Sequence, residues 1–210
     1  MDTAARAREI FARLAPLYPD LAPALTHKNA YQLLVATVLA AQCTDARVNT
    51  VTPEFFRRWP DPAALARADV GEVEAVVRST GFFRQKAKNL VAAARLLVEC
   101  HGGDIPASMA ALTTLPGVAR KTANIVLSNA LGRNEGIAVD THVRRLSFRL
   151  GLTRSDNPII IEKDLMPLFE RKDWGALNHL LVLHGRAVCK ARSPRCDDCV
   201  LDDICPKLGL

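Results

Sequence analysis

Leu115-Pro116-Gly117-Val118-Ala119-Arg120-Lys121-Thr122 sets a Pro-Gly turn directly against the start of a helix. Gly117 can take a positive φ and lets an outside group approach the backbone, and the first N–H groups of the following helix point outward as anion donors. A DNA phosphate fits there. The stretch therefore reads as a helix-hairpin-helix element in which the main chain of Gly117, Val118 and Ala119 grips a phosphodiester without reading sequence. A plain helix-to-helix turn has the same letters, because Pro-Gly pairs mark turns in general. Lys121 falls in the first turn of the helix, where the positive end of the dipole disfavours the protonated amine. An unprotonated lysine can form a Schiff base with an aldehyde-like carbon; the alternative is a solvated lysine beside Arg120.

Outward from this stretch the apolar residues recur at intervals of three and four, with hardly any alternation, which predicts an all-α fold. Asn29 precedes a nearly uncharged run over 30–42, Asp61 with Pro62 opens a short helix, and Asp69 with Glu72 forms a capping signal. A longer segment over 83–101 stops at Gly102-Gly103, the stretch after Val118 stops at Gly132, and the stretch after Asp140 stops at Gly151. Asn157-Pro158 and Asp173 open the last two helices. The chain has no low-complexity tract, long linker or regular repeat. Its 210 residues, 49% hydrophobic, can bury one large core or two small ones. Asp140 itself sits in Val139-Asp140-Thr141-His142 at a helix start, where an aspartate is a natural N-cap. Ionised, it could also assist proton removal and stabilise positive charge developing on a sugar ring.

The net charge of +6, from 28 Lys and Arg against 22 Asp and Glu, makes a polyanion the leading partner if the basic residues share a face. Solvation of helix faces is the bland alternative. Cys189, Cys196, Cys199 and Cys205 leave intervals of six, two and five residues. One close pair flanked by two single cysteines reads as the ligand set of a [4Fe-4S] cluster, since structural zinc sites usually offer two close pairs; zinc remains the alternative. Disulfides are disfavoured. The chain opens without an apolar signal core, has no apolar run long enough to cross a membrane, and keeps isolated Cys43 and Cys100. A reducing cytoplasm, nucleoid-associated and prokaryote-like, with no targeting segment and no membrane partner, is the expected setting.

Taken together, these residues resemble the endonuclease III type DNA glycosylases of the helix-hairpin-helix superfamily. The segment 115–124 looks like the family's hairpin with Lys121 on the catalytic lysine. Val139 to Arg145 looks like the segment bearing its catalytic aspartate, here Asp140, and the four cysteines match its cluster ligands. Ala40-Ala41-Gln42-Cys43-Thr44-Asp45 is similar to the loop that enters the gap left by an extruded base, with Gln42 on the gap-filling position. The resemblance implies two helical lobes with a DNA-binding groove between them. One is a six-helix barrel-like domain over 23–134 carrying the hairpin; the other is an iron–sulfur domain made of 1–22 with 135–210. It further implies a monomer that removes oxidised pyrimidines such as thymine glycol from duplex DNA and cuts the abasic site by β-elimination through a lysine Schiff base.

Such an enzyme must extract a nucleotide from the stack, which costs a few kcal/mol and calls for a wedge. Phe82, in Gly81-Phe82-Phe83 ahead of Arg84, Lys86 and Lys88, is the candidate, with Arg84 beside it on phosphate. The family usually presents an aliphatic residue near this point, and two phenylalanines packed in a core would look the same. Arg186, Lys190, Arg192 and Arg195 form a basic strip ahead of Asp197, Asp198, Asp202 and Asp203, so Lys190 and Arg192 are expected on DNA. Three further readings compete: an adenine mismatch glycosylase, whose early-helix carboxylate is missing over 31–42, a non-catalytic DNA-binding module stapled by metal, and a lyase acting on abasic sites without base removal.

Overall fold

A computed structural model describes residues 1–19 and 24–210. The predicted lobe boundary at residues 22 and 23 lies outside the described residues. In chain order the helices are α1 (Thr3–Leu14), α2 (Ala30–Leu39), α3 (Asp45–Arg58), α4 (Pro62–Ala66), α5 (Val70–Val77), α6 (Phe83–His101), α7 (Met109–Leu112), α8 (Arg120–Leu131), α9 (Thr141–Arg149), α10 (Pro158–Leu165) and α11 (Trp174–Ala187). Among the described residues there is no strand, and the all-α expectation holds.

Most of the helices begin where a short polar side chain can take up an orphan amide. Asn29 accepts from Gln32 N at 2.9 Å, Asp61 from Ala64 N at 2.7 Å and Asp69 from Glu72 N at 3.1 Å. Asn157 does the same for Ile159 N at 2.9 Å. Two details differ from the sequence pattern. The apolar run over 30–42 leaves the helix at Leu39, because Gln42 takes a left-handed φ of 54° and the chain turns before it. Asp173 precedes α11 but its side chain makes no cap, since it closes a 3₁₀ turn that runs straight into the helix.

The chain divides into two compact units, Pro23–Arg133 and Met1–Ala22 with Asn134–Leu210. In the first, α6 packs on α4 and α5 while α2 packs on α8. From Leu33 to Leu39 every residue of α2 is buried, as an all-round apolar helix requires, and Phe55, Leu65, Leu97, Leu112 and Leu127 complete the core around it. In the second unit α9 packs on α11 and α10, and α1 on α11, enclosing Ile10, Leu14, Leu146, Ile161, Leu165, Leu177, Leu180 and Leu181. Gly185 lets α9 lie close: a Cβ there would meet Leu146 Cδ1 at 3.1 Å and His142 Nδ1 at 2.8 Å. No helix is long and apolar enough to cross a membrane among the described residues.

Candidate functional site

The hairpin is built by two apolar anchors and one glycine. Leu115 and Val118 are buried in the core, and Val118 N donates to Leu115 O at 3.0 Å to close the turn. Gly117 has φ +81°, and an added Cβ would sit 3.0 Å from the side chain of Asn89 on α6. Glycine is therefore required twice, by conformation and by space. The cap of α8 is Ala119, which has no side-chain acceptor to offer, in contrast to the caps of α1 to α5, α9 and α10. The cap residue of α8 thus offers no side-chain oxygen that would compete with an anion at the helix start. Lys121 is the second residue of α8 and is exposed. Gly117→Ala should cost about 1–3 kcal/mol of stability and weaken duplex binding. Thermal unfolding and a titration at fixed salt measure the two effects, and unchanged affinity would separate this turn from DNA.

Gln42 and Phe82 share an unusual backbone. Both are exposed non-glycine residues at positive φ, 54° and 47°, in the left-handed region that costs an L residue roughly 1–2 kcal/mol. The Phe82-Phe83 pair splits: Phe82 is 67% exposed, whereas Phe83 packs against the core. Arg84 is exposed, its guanidinium 5.6 Å from the Phe83 ring. Lys86 corrects the sequence-based view of a phosphate-facing run. It is buried at 5% exposure, and its ammonium donates to Leu39 O at 2.8 Å and Thr80 O at 2.7 Å. Burial draws its pKa down.

Asp140 is both a cap and an open carboxylate. Its Oδ1 accepts from His142 N and Val143 N, each at 2.8 Å, while Oδ2 accepts no hydrogen bond among the described residues. The segment leading to it is braced from two sides. Ile137 N donates to Glu162 Oε1 of α10 at 3.1 Å, and Asn178 Nδ2 of α11 donates to Ala138 O at 2.7 Å. Neither brace was legible in the sequence, because each partner is at least 25 residues away. His142, whose pKa is lowered chiefly by burial, takes Arg145 Nη2 on Nδ1 at 3.1 Å.

Cys189, Cys196, Cys199 and Cys205 are free thiols lining one cavity together with Leu146, Leu150, Leu201, Arg149 and His184. Cationic or polar donors reach two of the sulfurs: Arg149 Nη1 lies 3.4 Å from Cys189 Sγ, and His184 Nε2 lies 3.3 Å from Cys199 Sγ. His184 Nδ1 meets the Tyr18 hydroxyl at 3.2 Å. With Tyr18 as donor there, Nε2 carries the proton toward sulfur, a supporting contact common around metal thiolates. Burial, and then the neighbouring sulfurs, push the Cys199 and Cys205 thiols up; a bound iron–sulfur cluster would supply the opposite charge that such a thiolate set requires. The donor set fits an iron–sulfur cluster. Arg145 donates to Cys189 O at 2.9 Å, and Arg149 to Lys190 O at 2.7 Å and Ala191 O at 3.0 Å, so α9 holds the loop by its carbonyls. Lys190 and Arg192 are exposed on that loop, whereas Arg195 turns back to Ala187 O at 3.0 Å.

Residues 35–171 match the model of the HhH-GPD superfamily of base excision DNA repair proteins, and residues 189–205 match the iron–sulfur binding domain of endonuclease III. The chain is 54% identical to endonuclease III of Synechocystis sp. over 96% of its own length and 92% of that protein. Against endonuclease III of Escherichia coli it is 37% identical, covering 96% and 95%. Among solved structures, a trapped endonuclease III–DNA covalent intermediate superposes with a TM-score of 0.92 at 40% identity, covering 99% of this chain and 97% of that one. The chain belongs to the endonuclease III family. It is a base excision repair DNA glycosylase and lyase that carries a [4Fe-4S] cluster.

Proposed function

We propose that the enzyme removes oxidised pyrimidines such as thymine glycol from duplex DNA, with Lys121 as nucleophile and Asp140 as its acid–base partner, and cuts the resulting abasic site by β-elimination. The Lys121 amine attacks C1′ and the C1′–N bond to the base breaks with its electron pair leaving on the base; the lysine nitrogen then loses a proton, the C1′–O4′ bond opens with its electron pair and a proton going to O4′, and the Schiff base forms. Loss of a C2′ proton then expels the 3′ phosphate. Hydrolysis of the Schiff base frees the enzyme. The observation that carries this reading is the start of α8, where Lys121 is exposed beside the first main-chain amides of the helix, which the Ala119 side chain cannot cap. Those amides, with Gly117, Val118 and Ala119, hold the phosphate while the amine reaches the sugar.

Gln42 fills the gap and Phe82 is the wedge, their strained backbones presenting both side chains to solvent. Arg84, Lys190 and Arg192 neutralise phosphates. Cys189, Cys196, Cys199 and Cys205 hold the cluster, which fixes the shape of their loop. The related endonuclease III caught as a covalent intermediate with DNA supports an attack of this kind. Adenine excision finds no support, since α2 carries no carboxylate over Ala30–Leu39. The working form is a monomer in a reducing, nucleoid-bearing cytoplasm.

Incubating the protein with duplexes carrying thymine glycol or an abasic site, with and without borohydride, tests both chemistries; absence of base release from the first would remove the substrate assignment. Asp140→Asn separates the two roles of that residue. Asparagine caps a helix as well as aspartate does, so stability should change by less than about 0.5 kcal/mol, while base release should slow by roughly 10²-fold or more. Thermal melts and single-turnover cleavage read the two quantities. Unchanged cleavage would leave Asp140 a cap and nothing else.

A further inference from the structure

Lys86 is the most deeply buried ammonium described in the Pro23–Arg133 unit, and it touches neither a carboxylate nor any surface suited to DNA. Taking a charged amine out of water is costly, and a lysine stem could be replaced in a core by a plain apolar side chain. What the ammonium does here is connect. Leu39 is the last residue of α2, and Thr80 is the last residue of the 3₁₀ turn Arg78–Thr80. Their carbonyls belong to the unsatisfied set at helix C-termini, which an ammonium suits in both hydrogen bonding and dipole sign. Three residues after Leu39 comes Gln42, and two after Thr80 comes Phe82, the two left-handed non-glycine residues of this unit among those described.

Among the described residues, the hydrogen bonds joining 39–43 with 80–83 run only through the Lys86 ammonium. Lys86 is itself rigid in place: it is the fourth residue of α6, and its amide donates to Phe82 O at 3.1 Å. One side chain thus ties together the end of α2, the turn before Phe82 and the start of α6. A gap-filling residue and a wedge must act on the same base-pair step, so the spacing of their loops has to be fixed to a fraction of a base-pair rise; misplacement by about 1 Å can cost on the order of 10²-fold in rate.

We propose that Lys86 is a positioning residue for base extrusion: its buried ammonium clasps the carbonyls of Leu39 and Thr80 and so sets the spacing of the Gln42 and Phe82 loops against one another. The proposal rests on the assignment of Gln42 and Phe82 as gap filler and wedge. Lys86 never meets DNA, and its effect reaches the reaction only through those two loops.

The test is a cycle of variants in the cluster-loaded, full-length protein. Lys86→Met keeps the length and burial of the stem but removes the donors; Lys86→Gln keeps two donors and is the second variant should the methionine form fail to fold. Single-turnover base release is measured on a duplex carrying thymine glycol, in the native background and in one carrying Gln42→Ala with Phe82→Ala. The fluorescence of 2-aminopurine beside the lesion reports extrusion, and borohydride trapping on a single-stranded abasic oligonucleotide reports chemistry that needs no wedge. The expected result is a roughly 10- to 100-fold slower release with Lys86→Met, a weakened 2-aminopurine signal and trapping within about twofold of native. In the loop-variant background the same change should add less than about twofold, since residues acting through one device are not additive. An equal loss in both backgrounds, or native release with Lys86→Met while the loop variants are slow, overturns the Lys86 role alone. Native release from the loop variants instead removes the assignment of Gln42 and Phe82, and the clasp with it.

Discussion

Lys121→Gln should leave no borohydride-trapped adduct and lower base release by on the order of 10³-fold or more, with duplex affinity within a few-fold of the native value. The reasoning is geometric. Lys121 is exposed at the second position of α8, where glutamine has a similar helix propensity, so a surface substitution of this kind should alter stability by no more than about 0.5 kcal/mol. In the proposed reading the phosphate grip is made by main-chain amides and by the Gly117 turn, neither of which the substitution touches. What disappears is the one atom able to form an imine. A lysine that merely contacted phosphate would behave otherwise, with uniformly weaker binding, a salt slope reduced by about one, and chemistry intact at saturation. Trapping yield and single-turnover rates at several salt concentrations decide between them, and full trapping by Lys121→Gln would strip the residue of the nucleophile role.

Which parts of this site were legible in the sequence follows from the range of the interactions involved. Asn29, Asp61, Asp69 and Asn157 announce their helices because a cap is a contact between residues two or three apart. Pro53 inside α3 argues locally against a helix. Burial of Val48, Val51 and Phe55 on one face holds it nonetheless. The Phe82-Phe83 pair could not be divided by composition, since either ring could be core; the left-handed backbone at Phe82 turns one outward and leaves the other packed. Lys86 is ambiguous for the same reason. In a run containing Arg84 and Lys88 it reads as one more surface cation, and the acceptor that buries it, Leu39 O, lies 47 residues back along the chain. At Asp140 the structure shows the cap on one carboxylate oxygen and leaves the other available to the proposed chemistry.

Cys199→Ala should abolish the visible absorption of the cluster and lower the melting temperature by roughly 10 °C or more, base release and trapping falling with it. The segment 189–210 contains no helix, and Leu201 is its one fully buried hydrophobic residue. Burying one leucine contributes about 2 kcal/mol, enough to offset the ordering of only one or two residues at about 1–2 kcal/mol each. The loop therefore depends on its four-sulfur centre for shape. The consequence does not stop at the loop. Arg145 and Arg149 spend their guanidinium donors on the carbonyls of Cys189, Lys190 and Ala191, and both sit on α9, whose first turn is capped by Asp140. An unravelled loop leaves the partly buried Arg149 guanidinium without acceptors and takes the Cys189 carbonyl from Arg145, which keeps only Gly185 O and His142 Nδ1; each donor left unpaired is a penalty of about 1–3 kcal/mol, on the very helix that orients the carboxylate. Differential scanning calorimetry alongside absorbance and single-turnover assays measures the chain of effects. A Cys199→Ala protein with no visible band, an unchanged melting temperature and native activity would show that the loop and α9 hold their geometry without the cluster.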